Sequence, residues 1–357
     1  MRLITLGLAA MTFATCSPAA EPVSAAPSDI DWSIQRHGSK VDGSVVQFRV
    51  ESHWGLGNRS SWSSDRPIAE FQGLSPAQVT GPTGPVRFAI VREAGRLDCS
   101  GLAGGLNGSG SCSFTPDAAF ADFLAARGMG RLTPHQAYTL AMAKVGRELI
   151  AALEGLGYAK PDVEDLASMG IHGVSPAFVR ELASQGYRLK SADELVTFKI
   201  HGVDADYIRG LAAIGPQFHR FEAKDLVSMR IHGVKPAYVQ AMAAIGPAFS
   251  TLTADDLVSF AIHGAKPEMV QAFARYHKGP LDADDVTAMA IHGVTAKYID
   301  ELASLGLRGF TADELVQMRI HGVTPDYARG LQQHGMTNLD ADQIVRLRIS
   351  GFRPKTR

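Results

Sequence analysis

The string Ile-His-Gly occurs six times, at Ile171, Ile200, Ile231, Ile262, Ile291 and Ile320, and a seventh copy reads Ile349-Ser350-Gly351. Its histidines are His172, His201, His232, His263, His292 and His321. Together with Ser350 they stand 29, 31, 31, 29, 29 and 29 residues apart. A period in this range marks a stacked repeat array, because one such unit cannot bury its apolar face alone.

Ten residues ahead of each histidine position stand Asp162, Ser191, Glu222, Thr253, Asp282, Thr311 and Asp340. All but Glu222 are residues that cap a helix N-terminus well. Three residues further on come Asp165, Glu194, Asp225, Asp256, Asp285, Glu314 and Gln343, which complete capping boxes or near relatives of them. A first short helix therefore runs from each cap to the Ile-His pair. Gly173, Gly202, Gly233, Gly264, Gly293, Gly322 and Gly351 follow, where a residue able to adopt positive φ stops a helix. Pro176, Pro236, Pro267, Pro325 and Pro354 then suit the first turn of a second helix. Its stripe is Phe178, Tyr207, Tyr238, Met269, Tyr298 and Tyr327, followed by Leu182, Leu211, Met242, Phe273, Leu302 and Leu331. Gly186, Gly215, Gly246, Gly306 and Gly335 are expected to end it. Helices this short are marginal in isolation, so the units must stack.

Upstream the pattern changes. "SVVQFRV", "PIAEF" and "VRFAIV" alternate between apolar and polar and are separated by Gly, Pro, Asn and Ser, which predicts an antiparallel β domain. The expected fold class is α+β multidomain: a small N-terminal antiparallel β domain over 31–117, then an αα-hairpin solenoid of 29–31-residue repeats. Residues 118–160 read as a helical cap or degenerate repeat, and 161–357 as seven αα repeats. Trp32, Trp54 and Trp62 all lie in the β region, where core packing is the expected role and ligand binding the lesser one.

The first residues, with Arg2 and an apolar run from Leu3 to Ala14, are too short a run to span a bilayer and read as an export signal over 1–25, with a tether to 30. Processing after Ala25 and lipid attachment at Cys16 are both open. Either route predicts a periplasmic or outer-envelope location, exported and in the second case lipid-anchored. Cys99 and Cys112 are then an even pair in an oxidising compartment, expected to form a disulfide that closes a hairpin. The glycine-rich stretch between them matches no phosphate-binding fingerprint and reads as a mobile turn.

Three roles are open to the histidines. They can donate to carbonyls of the last helical turn, ligate a metal, or form a pH-sensing ladder. Stacked units hold neighbours on the order of 10 Å apart, which disfavours shared metal ligation, and no cofactor is implied. One residue before each Ile lies a second row in which Lys199, Arg230, Arg319 and Arg348 are basic. It reads as exposed, and either solvated and paired with acidic first turns or facing an acidic partner.

The string "DELVxMRIHGVTPxY" resembles αα repeats of bacterial extracytoplasmic proteins, including C-terminal extensions of BlaR-type sensor metallopeptidases, over about residues 160 to 352. The resemblance implies the repeat fold and an envelope location. The chain has no HExxH and no Ser-x-x-Lys, so it carries no implication of peptidase or penicillin-binding activity. Ile-His-Gly-Val also looks like a helix-hairpin-helix turn. Against nucleic-acid binding stand 35 Lys and Arg balanced by 36 Asp and Glu, the prolines beside the turn, and Glu268 and Asp326 close to it. An enzyme or ligand-binding module in the β domain is a further alternative, although no catalytic constellation is visible. The leading expectation is a non-enzymatic envelope scaffold or regulator that binds a protein partner.

Overall fold

The computed structural model describes residues 29–36, 42–54, 58–277, 279 and 281–354. The expected export signal, the Cys16 lipidation site and nearly all of the tether lie outside them. The chain forms two compact bodies that divide between Gly146 and Arg147.

The first body is built on one antiparallel sheet of six strands, ordered β3-β2-β1-β6-β5-β4. These are β1 (Asp29–Arg36), β2 (Val45–Trp54), β3 (Asn58–Pro67), β4 (Gly84–Arg92), β5 (Gly95–Gly104) and β6 (Asn107–Pro116). Alternation places Ile30, Trp32, Ile34, Val46, Phe48 and Val50 on one buried face. Helices α1 (Pro76–Thr80), α2 (Ala118–Ala126) and α3 (Pro134–Met142) accompany the sheet. Tyr138 of α3 packs 5.3 Å from Trp54 and 5.4 Å from Phe114, centroid to centroid. That contact is why the body continues past 118, where strand gives way to helix, to Gly146. Just beyond α3, Lys144 meets Glu70 at 2.8 Å, and Arg66 and Arg92 reach the same carboxylate.

Cys99 and Cys112 are bonded and stand directly opposite in β5 and β6. The glycine-rich stretch between them is strand rather than a mobile turn, and only Gly105 and Leu106 lie outside the ladder. Gly101 and Gly110 face each other across the ladder and pack against Trp32, whose indole donates to the Ser100 carbonyl at 3.1 Å. A Cβ at Gly101 would lie 2.8 Å from that ring and closer still to the Ser109 carbonyl oxygen, and one at Gly110 would lie 2.7 Å from the ring and closer still to the Ser100 carbonyl oxygen. Trp32 and Trp54 are buried core, and Trp62 on the edge strand is partly exposed.

The second body begins with α4 (Arg147–Gly155). The repeats follow in order: α5 (Val163–Ile171) and α6 (Pro176–Ser184), α7 (Ala192–His201) and α8 (Ala205–Ala212), α9 (Ala223–Ile231) and α10 (Pro236–Ala243), α11 (Ala254–His263) and α12 (Pro267–Tyr276). Then come α13 (Ala283–Ile291) and α14 (Ala296–Ser304), α15 (Ala312–Ile320) and α16 (Pro325–Gln333), and finally α17 (Ala341–Ile349). Odd helices from α5 onward stack on one another, even helices do the same, and α4 takes the place of a second helix ahead of α6.

Local chemistry sets each boundary. Asp162, Ser191, Glu222, Thr253, Asp282, Thr311 and Asp340 occupy the N-cap position of the first helices. Every glycine after the histidine position has φ between 69° and 79°, from Gly202 to Gly351. The residue after it closes the end by donating back across the turn, as in Val203 N–H to Phe198 C=O at 2.8 Å, and then enters the core.

Two second helices end differently from expectation. Gly186, Gly306 and Gly335 have positive φ, whereas Gly215 and Gly246 are extended with φ of 168° and 169°. Each of these two precedes a proline, which pushes its backbone into the extended region. A 3-10 turn follows at Pro216–His219 and Pro247–Phe249, and it accounts for the 31-residue spacing of those repeats. In the fourth repeat His277 occupies the corresponding position.

Candidate protein-interaction surface

Taking a helix at about 100° per residue, the apolar stripe of each first helix is set by the residue four past its N-cap, such as Leu166. The basic row lies four residues beyond it, about 40° from the stripe, and the Ile lies five beyond, about 140° away. The row therefore borders the core, and the Ile faces out. Ile171, Ile200, Ile231, Ile262, Ile291, Ile320 and Ile349 are between 49% and 62% exposed. With Val91 and Leu102 they are the exposed large hydrophobic residues among those described. Stacking aligns them into a ladder with rungs on the order of 10 Å apart. Covering one half-exposed Ile contributes about 1 kcal/mol, so the ladder is a sizeable reserve of binding energy.

Of the basic row, Lys199 is exposed as expected, whereas Arg230, Arg319 and Arg348 are half-buried. Lys199 lies 4.7 Å from the centre of the Phe178 ring, Arg230 4.7 Å from Tyr207, Arg319 4.9 Å from Tyr298 and Arg348 4.8 Å from Tyr327. Each ring belongs to the preceding repeat. Arg230 also donates to the His201 carbonyl at 3.3 Å and Arg319 to the His292 carbonyl at 3.4 Å. These cations stand at the C-terminal end of the preceding first helix, where the dipole favours them. Their place in the array is to join repeats.

The imidazoles of His172, His201, His232, His263, His292 and His321 are exposed or half-exposed and make no hydrogen bond. The carbonyls they were expected to serve are met instead by the next repeat's arginine at two of the turns. No group of three or more His, Cys, Asp or Glu side chains is arranged to hold a metal ion among the described residues. The amides of the Gly-Val turn are engaged inside it, as in Gly173 N–H to Gly170 C=O at 3.1 Å and Val174 N–H to Met169 C=O at 2.8 Å.

At two consecutive repeats the row holds Ala261 and Ala290. Tyr238, the ring Ala261 would have to cover, is only partly buried, whereas Phe178, Tyr207, Tyr298 and Tyr327 are 4–7% exposed. Two clefts open there, of about 340 and 280 Å³. Both are lined by Gly264 and Lys266, so they adjoin, and the two together are called the groove. The same stretch breaks the capping rule. Ser175, Asp204, Thr295 and Thr324 cap α6, α8, α14 and α16 through their side chains, but Lys235 and Lys266 stand at the caps of α10 and α12 and make no such bond. Each forgoes about 1 kcal/mol and puts a cation at the positive end of a helix.

The ladder and the groove were missed from the sequence. The signal was present as the angle between Ile and the stripe, and as the run of repeats in which Ala261 and Ala290 replace a cation and Lys235 and Lys266 replace a cap. No helix among the described residues is long and apolar enough to cross a membrane. Comparison with protein-family models and with curated proteins gives no match.

Proposed function

We propose that the chain is an exported envelope protein that acts as a non-catalytic scaffold, its repeat array binding another protein along the isoleucine ladder. The observation that carries this reading is the repetition of a half-exposed Ile at one position of all seven repeats. A single exposed apolar residue means little, but seven in register form a continuous docking stripe. The bonded pair Cys99–Cys112 is compatible with export.

The test is site-specific photocrosslinking in cells, with the reactive residue placed in the full chain at Ile231, Ile262 or Ile291. Gln240, exposed on α10, serves as the control position. The expected result is one protein adduct shared by the three ladder positions and absent from Gln240. No adduct, equal adducts from Gln240, or an adduct sensitive to nuclease would overturn the reading.

A further inference from the structure

The groove that runs from the third to the fifth repeat departs from the array in two ways. The seat that Lys199, Arg230, Arg319 and Arg348 fill elsewhere is vacated by Ala261 and Ala290, and a lysine replaces the capping side chain of α10 and of α12. Each departure lowers local stability, and both open or charge the same strip of surface. Positions where a sequence overrides its own local rules are where function constrains it.

The strip has a definite chemistry. Its apolar floor includes Val234, Tyr238 and Phe260 in one cleft and Met269 and Val294 in the other. Lys235, Lys266 and Lys297 stand around that floor, and Glu268 is the one acidic residue of the lining. Lys235 and Lys266 form no side-chain ion pair or hydrogen bond, and Lys297 reaches Glu301 only at 3.7 Å. An incoming cation would meet three ammonium groups. A bare anion such as phosphate would leave the aromatic and aliphatic floor uncovered.

We infer that the groove seats an acidic segment of the partner protein, with carboxylates against Lys235 and Lys266 and flanking apolar side chains on Tyr238 and Met269. This rests on the scaffold reading and specifies the chemistry of the partner. Charge complementarity at such a rim chooses the partner and the register, and the floor holds it.

The test is a selection of displayed random peptides on the full chain. Selected sequences are then synthesised and their affinities measured by fluorescence anisotropy. The peptides are expected to be rich in Asp and Glu beside apolar residues, and to bind Lys235→Glu/Lys266→Glu at least about tenfold more weakly. A second variant, Ala261→Arg/Ala290→Arg, fills the seat with the residue that other repeats carry there. It is expected to abolish peptide binding while thermal stability is unchanged or raised, which separates occlusion from unfolding. Failure to select any binder, selection of basic or uncharged peptides, undiminished binding by either variant, or displacement by polyphosphate alone would overturn the inference. If adducts from Ile231 persist in both variants while peptide binding is unaffected, the groove proposal falls and the ladder stands. If the ladder gives no adduct in the unaltered chain, the scaffold reading falls whatever the peptides show.

Discussion

The guanidinium of Arg230 lies 4.7 Å from the ring centre of Tyr207, one repeat back, and the Tyr207 hydroxyl donates to the Val234 carbonyl at 3.0 Å. One tyrosine is thus held at its face and at its tip by the following repeat. Tyr298 is held in the same way, by Arg319 over its ring and by the Val323 carbonyl at 3.0 Å. Burial pushes both phenols up to about 12, so they remain donors throughout the physiological range.

Arg230→Ala is expected to destabilise the array by about 1–2 kcal/mol, through loss of the cation over a buried ring and of the bond to the His201 carbonyl. Tyr207→Phe strands a buried carbonyl and is expected to cost about 1–3 kcal/mol. Chemical denaturation of the two single variants and the double variant measures both effects. Because the residues touch, the double variant should cost less than the sum.

Gly322 has φ of 70°, a conformation a β-branched residue tolerates poorly. Gly322→Val is expected to cost about 1–3 kcal/mol, and Gly322→Asn to cost less, because Asn visits this region more readily. A thermal transition in Gly322→Val equal to that of the unaltered chain would show that the turn does not depend on this glycine.

His277 is buried between Phe273 and Phe310, and its Nδ1 accepts the Phe310 N–H at 3.0 Å. Burial holds this imidazole below its ordinary pKa of 6.5, with the Glu314 carboxylate opposing the shift. The unfolded chain therefore takes up the proton first. The stabilising contribution is complete above about pH 6.5 and is lost as the pH falls through the depressed folded value. The slope in that window has an upper bound of about 1.4 kcal/mol per pH unit, the value for one proton. His277→Asn keeps an acceptor and does not titrate, so its stability profile should be flatter over the same range.

The repeat boundaries were legible because they depend on backbone chemistry that a short window contains. An acidic or hydroxyl side chain accepts from free amides at Asp162 or Thr311, and a glycine bends left-handed at Gly173 or Gly322. Gly215 and Gly246 broke the pattern because the next residue, a proline, outweighed the glycine's freedom. Charge alone suggests a fully exposed basic row, but its helical angle, about 40° from the stripe, leaves Arg230, Arg319 and Arg348 half-buried against the preceding repeat. The glycines of β5 and β6 read as a loop because what they accommodate lies outside a short window: the backbone of the paired strand, and the Trp32 ring from a strand 68 residues away in sequence from its Ser100 acceptor.

Each clasp reaches one repeat back and no further, and each runs in the same direction along the chain. A 29-residue unit could therefore be added or removed and leave every other clasp whole. The isoleucine ladder is a ruler graduated in steps on the order of 10 Å. Duplication of one stretch of coding sequence lengthens it by one mark, with no compensating change elsewhere in the array.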